Sequence, residues 1–220
     1  MGAWAFERGT LWVMELTGGE TVAASPRVAA LFGEARRESA GPLAAVMGLP
    51  DPEPIRQRFA TGRRCFVARI EDQIAAYGWV SQTAECIGEL EREIQIRAGE
   101  AYIWDCVTLP PYRRRRLYSA LLSHITLKLG GEGVRRVWIG SSLHNRPSIR
   151  GFANAGFQPV VTLLYLRLFN VCCLRLAGHS TAPGELTTAA RRALATGHER
   201  AWGGILIGLS GPAALTACEG

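Results

Sequence analysis

Residues 110–122 read PPYRRRRLYSALL, with four consecutive arginines, Arg113 to Arg116, where a helix would begin. A helix N-terminus carries about half a positive charge, so a cation there is disfavoured by roughly 0.3–1 kcal/mol unless an anion is near. The flanking residues define the junction. AYIWDCVTL (101–109) is apolar, aromatic and β-branched and stops at Pro110-Pro111, which predicts a strand. RRLYSALLSHITLKL places Leu117, Leu121 and Ile125 on one face and ends at Gly130-Gly131, which predicts a helix. VRRVWIGSS (134–142) is again a strand. Strand, helix, strand implies a parallel pair with a right-handed crossover. A terminated strand feeding a helix whose first amides are free makes an anion site, and arginine suits phosphate through bidentate contacts.

Outward from this junction, GTLWVMEL (9–16) predicts a first strand. Residues 25–60 have helical apolar spacing, as at Val28, Leu31 and Phe32, broken by Gly41-Pro42 and LPDPEP, and predict two or three short helices. RCFVARI and IAAYGWVS flank a polar turn and predict a hairpin over 64–81. IGELEREIQI reads as strand, loop or both. A short helix is expected from Pro147 to about Ala155, and one or two strands over 157–176. The expected fold class is α+β: a mixed, largely antiparallel sheet with one parallel strand pair, flanked by helices. Residues 1–176 form the expected domain. Residues 177–220 form a C-terminal extension packed on it or on a partner subunit, which leaves a homodimer open.

With 220 residues, 48% of them hydrophobic, the chain can bury one main core. Its 25 Lys+Arg against 19 Asp+Glu give a net charge of +6, which suits an anionic ligand but is too mild and scattered to indicate nucleic-acid binding by itself. The six cysteines (Cys65, Cys86, Cys106, Cys172, Cys173, Cys218) show neither Cys-x-x-Cys pairs nor zinc spacing. No metal site is expected, and a reduced cytoplasmic protein is. The N-terminus lacks a basic segment followed by an apolar one, and no uncharged apolar run reaches the ~18 residues of a membrane span.

Two segments resemble the GNAT superfamily of acetyl-coenzyme A-dependent N-acetyltransferases. PPYRRRRLYSALL is similar to that family's loop-helix junction, with Pro110, Tyr112, Arg113, Leu117 and Leu121 in the matching places. HNRPSIRGFANAGF (144–157) resembles its later segment, through Asn145, Ser148, Gly156 and Phe157. The resemblance covers roughly residues 9–176 and implies that acetyl-CoA is the co-substrate. It implies a coenzyme A contact set of Arg113, Arg114, Arg115, Arg116, Leu117, Tyr118 and Ser119, with Asn145, Ser148 and Phe152 from the second segment. It also implies that the backbone amide of Val107 or Thr108 holds the thioester carbonyl. The chain departs from the family where glycines are usual, at Arg114, Arg116 and Tyr118, and at Phe152, where a tyrosine often serves as general acid.

The resemblance implies an enzyme that moves acetyl from acetyl-CoA to a primary amine by direct attack. A small molecule or a protein would carry the amine. Asp105 interrupts an apolar strand, where a carboxylate needs a partner or a raised pKa; it is a candidate base, or else the partner of an arginine. Tyr118, with Tyr165, is a candidate acid, and Glu93, beside Glu91 and Glu100, a further candidate carboxylate. Cys106 has no adjacent histidine to activate it as a nucleophile. A coenzyme A-binding module without catalysis is the alternative, and nucleic-acid binding through Arg113 to Arg116 the weaker one.

Overall fold

The computed structural model describes residues 4–16, 23–195, 200–202 and 205–209. The first half of the chain supplies β1 (Trp4–Glu15), β2 (Leu31–Ala35), α1 (Ala40–Val46), α2 (Glu53–Ala60), β3 (Arg64–Ile70) and β4 (Gln73–Ser81). β5 (Glu85–Ile87) and β6 (Arg92–Ile94) pair with each other as a small separate sheet, which resolves IGELEREIQI into both strand and turn. The central unit is β7 (Glu100–Thr108), α3 (Leu117–Gly131) and β8 (Arg136–Ser142), followed by α4 (Arg146–Asn154). β9 (Gln158–Leu168), β10 (Val171–Gly178), α5 (Gly184–Leu194), β11 (Arg200–Trp202) and β12 (Ile205–Leu209) complete the order.

Ten strands join in one sheet, β11-β12-β10-β9-β1-β8-β7-β4-β3-β2. Among the described strands β7 and β8 are the parallel pair, joined by α3 as the strand-helix-strand order requires. The predicted hairpin is β3 and β4. The stretch around Val28, Leu31 and Phe32 is not helical: residues 31–35 pair antiparallel with β3 from Leu31↔Arg69 to Ala35↔Cys65. Three apolar residues at helical spacing carry little weight against an open sheet edge whose backbone groups need partners. Leu31 is left 73% exposed, so it was marking no buried helix face.

β1 is longer than expected and lies between β8 and β9, antiparallel to both, with Gly9↔Ser142 on one side and Trp4↔Leu168 on the other. The first strand of the chain therefore fills a slot next to the parallel pair. One sheet face carries α3 and α4, packed on Phe66, Ala76, Ile103 and Ile139. The opposite face carries α1 and α2 over Val67, Tyr77 and Trp79, and, further along, α5 with Leu90 over Leu11, Trp138 and Leu174.

β10 runs to Gly178, α5 buries Leu186, Ala190 and Leu194, and β12 pairs with β10. Residues 210–220 of the expected extension, Cys218 among them, lie outside the described residues. Cys65, Cys106 and Cys173 are free thiols, whereas Cys86 is disulfide-bonded, a departure from the reduced state expected of the cysteines. Among the described residues no helix is long and apolar enough to cross a membrane.

Candidate active site

β7 and β8 hold together only from Glu100↔Arg136 to Ile103↔Ile139. Beyond that point β8 follows β1 as far as Ser142, while β7 follows β4. The strands part, and the edge of β7 from Trp104 to Thr108 stands open. A β-bulge accompanies the parting: Trp79↔Trp104 and Tyr77↔Val107 leave Asp105 and Cys106 opposite Gly78 alone. Asp105 takes φ 42°, a left-handed conformation that aspartate tolerates better than most residues. Gly78 is fixed by the same feature, since a Cβ there would meet Cys106 Sγ at 2.6 Å.

The extra residue also resets which way side chains point. Ile103 faces α3, Trp104 and Asp105 both face the opposite side, and Cys106 returns toward α3. The Leu109 amide donates to Ala75 of β4 at 2.9 Å. Alternation then turns the Val107 amide toward β4 and the Thr108 amide toward the gap.

On the α3 side of the gap, Pro110–Tyr112 form one 3₁₀ turn and Arg113 is extended. Arg114 and Arg116 are left-handed, at φ 64° and 58°. These are two of the positions where the family resemblance implies glycine. The backbone has kept the conformation that glycine would adopt freely, at a cost of about 1 kcal/mol for each residue with a Cβ. The loop is tied down from outside: the Arg27 amide donates to the Arg115 carbonyl at 2.9 Å, and the Ala24 amide to Ser123 Oγ at 3.0 Å.

No side chain caps α3. Ala120 is the first residue to donate to a carbonyl of this turn, Arg116 O at 3.2 Å, so the amides of Leu117, Tyr118 and Ser119 are free. Arg113 Nε donates to Thr108 O at 3.2 Å, and the Arg115 guanidinium lies 5.7 Å from the Tyr112 ring centroid. Among the described residues no carboxylate forms an ion pair with any of Arg113 to Arg116.

Tyr118 lies at the third of those positions, within α3, and its ring is laid on α4, where a Cβ at Gly151 would come within 2.2 Å of it. Burial raises its hydroxyl well above the ordinary 10, opposed by a hydrogen bond with Ser148. Asn145 caps α4, its side chain accepting from the Ser148 amide at 3.3 Å. Phe152 is a core residue at 1% exposure, between Trp12 and Phe157, and presents no surface to a ligand.

Across the gap, on the sheet face away from α3, lies a cavity of about 370 Å³. Trp104 and Asp105 of β7, Arg58 of α2, Ser141 of β8 and Glu7 of β1 line it. Arg58 Nη1 donates to Asp105 Oδ2 at 2.6 Å, and its guanidinium sits 5.0 and 4.6 Å from the ring centroids of Trp79 and Trp104. Asp105 is thus the partner of an arginine and also lines the cavity. Burial, with the nearby Asp105 charge, pushes the Cys106 thiol up and leaves it a poor nucleophile.

The other sequence candidates go elsewhere. Glu93 is exposed on β6, bonded to Gln95 Nε2 at 2.8 Å, and does not line the cavity. Glu91 takes the Tyr165 hydroxyl at 3.1 Å, and Glu100 binds Arg136 at 3.0 Å and Trp138 at 3.1 Å. Sequence reasoning passed over Arg58, which has no local signal in a polar helix, and Glu7, which precedes the strand expected from Gly9. Among the described residues no group of three or more His, Cys, Asp or Glu is placed to hold a metal.

A model of the acetyltransferase (GNAT) family matches residues 35–157, more than half of the chain, and the protein belongs to that family. A GNAT-family acetyltransferase from Colwellia psychrerythraea is similar in structure, with a TM-score of 0.52 at 13% identity over 75% of this chain and 57% of that one. A tandem GNAT protein from the clavulanic acid biosynthesis pathway, solved without AcCoA, has a TM-score of 0.50 at 19% identity over 80% of this chain and 55% of its own. The chain thus spans little more than half the length of these structures, and at such identities the likeness shows the fold. No curated protein matches the sequence.

Proposed function

We propose that the protein transfers the acetyl group of acetyl-CoA to a primary amine by direct attack. The observation that carries this is the parting of β7 and β8, with free helix amides and unpaired arginines on one face and a carboxylate-lined cavity on the other. The free amides of Leu117, Tyr118 and Ser119 suit the pyrophosphate, and Arg113 to Arg116 add charge-assisted contacts. The open edge of β7 suits the pantetheine amides, and the Thr108 amide, turned to the gap, is placed to hold the thioester carbonyl.

In this scheme the amine enters through the cavity and loses a proton to Asp105, directly or through water. The nitrogen lone pair forms the new C–N bond, the C–S bond breaks with its electrons on sulfur, and the thiolate takes up a proton. Tyr118, a phenol in the first turn of α3, is the candidate donor. Acetyl-CoA supply makes the cytoplasm the compartment that fits.

Phe152, which lacks a hydroxyl and is shut in the core, favours the second reading, a coenzyme A-binding module without catalysis. Incubating the protein with acetyl-CoA and an amine panel separates the two. Acetyl transfer predicts amine-dependent thiol release above background. Tight coenzyme A binding with no such release would establish the non-catalytic module.

A further inference from the structure

The cavity lining carries three carboxylates, Glu7, Glu89 and Asp105, and one cation, Arg58. Arg58 and Asp105 offset each other at 2.6 Å. Neither Glu7 nor Glu89 makes an ion pair or side-chain hydrogen bond among the described residues. Glu89 is exposed, whereas Glu7 Oε1 is shut off from solvent without a hydrogen-bond partner. A buried polar atom left unsatisfied costs about 1–3 kcal/mol, more when charged, and a donor brought by a ligand recovers it.

The polar groups beside Glu7 are engaged elsewhere. Its cross-strand partner Tyr165 donates to Glu91, and Arg167, on the same face of β9, pairs with Glu91 at 2.7 Å. The cavity therefore presents an excess of negative charge, and among the described residues Glu7 forms no ion pair.

Position adds to charge. Asp105 is on β7 and Glu7 on β1, with β8 between them in the sheet. Glu7 also lies beyond the Gly9↔Ser142 pair and Asp105 just beyond the Ile103↔Ile139 pair, so the two carboxylates face the cavity from separate places, as two amine groups of one ligand require. Resting on the acetyl-transfer reading above, we propose that the acceptor is a diamine or polyamine. Its reacting amine faces Asp105 at the gap, and its far ammonium is held by Glu7. Glu7 is then a specificity and positioning residue contributed by the strand that the fold inserts beside β8.

Three ligands of one length test this: butylamine, 1,4-diaminobutane and 4-aminobutanoate, which differ only in the far group. Calorimetric titration without acetyl-CoA reads recognition independently of chemistry. The diamine is expected to bind at least tenfold tighter than butylamine, and 4-aminobutanoate weakest. Glu7→Gln, which keeps the side chain's shape, should abolish most of the diamine's advantage while leaving coenzyme A affinity unchanged, and Glu7→Asp should restore part of it. In turnover the Glu7→Gln defect should lie mainly in KM. Equal binding of the three ligands, no binding of any, or an unchanged order in Glu7→Gln would overturn the proposal. A protein that binds the diamine through Glu7 but releases no thiol would instead sink the acetyl-transfer reading.

Discussion

The arginines of this protein fall into two groups that differ in what surrounds them. Arg58 is fixed by Asp105 at 2.6 Å, Arg64 is clasped by Glu34 and Glu132 at 2.7 and 2.6 Å, and Arg136 bridges Glu15 and Glu100 at 2.9 and 3.0 Å. Arg113 to Arg116 have no carboxylate partner among the described residues, although their run begins at the end of the same strand that carries Asp105. Arginines whose anion is internal tie elements together. Arginines without one, at the free amides of a helix, suit the coenzyme A pyrophosphate proposed above.

Each substitution tests one side of that division. The largest effect is expected at Asp105, among the described residues the one paired carboxylate that also faces the cavity. Asp105→Asn keeps the left-handed bulge, and turnover should fall by about 100-fold, in the range of general-base loss, with coenzyme A affinity unchanged. Steady-state kinetics beside calorimetry checks this, and unchanged turnover would assign Asp105 to structure alone. Next is Arg113→Ala, which should weaken coenzyme A about tenfold, as for one charged hydrogen bond, and leave the melting temperature in place. If the affinity holds and the fold loosens instead, Arg113 belongs with the paired group.

Smaller still is Arg116→Gly. It removes a left-handed strain of about 1 kcal/mol but adds chain entropy of similar size to the unfolded state, so stability should change by under about 1 kcal/mol. A large loss of stability would show that the side chain, not the backbone conformation, holds the loop.

The smallest effect lies at Glu132. Hydrogen bonding and charge from Arg64 hold its carboxyl below the ordinary 4.5. A carboxyl whose folded pKa is lowered adds stability above the unfolded value, and that contribution is lost as pH falls through the lowered one. With a third of the side chain exposed, the pair is worth under about 1 kcal/mol. Glu132→Gln should therefore flatten the acid side of the stability profile slightly, read by thermal denaturation across that range, and leave acetyl-CoA handling untouched.

Much of the scaffold was legible because its signals are local. AYIWDCVTL, Pro110-Pro111, the leucines of α3 and Gly130-Gly131 define the strand, the stop and the helix within about thirty residues, and a crossover then has one favoured hand. The loop before α3 was legible for the same reason, even with Arg114 and Arg116 where glycines were expected, since its left-handed dihedrals survive the change of side chain. Phe32 and Glu93 misled because three apolar residues or one carboxylate fit several environments equally well.

By itself, then, the sequence determined the strand-helix-strand core, the run of arginines at the uncapped start of α3 and the family resemblance that both carry. Tertiary structure alone placed β1 between β8 and β9, brought Arg58 across 47 positions to Asp105, and set Glu7 in the same cavity. The physical reason is range. Amide direction and helix polarity are fixed by neighbours along the chain, whereas the side chains that would choose an acceptor meet only after distant strands have settled their order in the sheet.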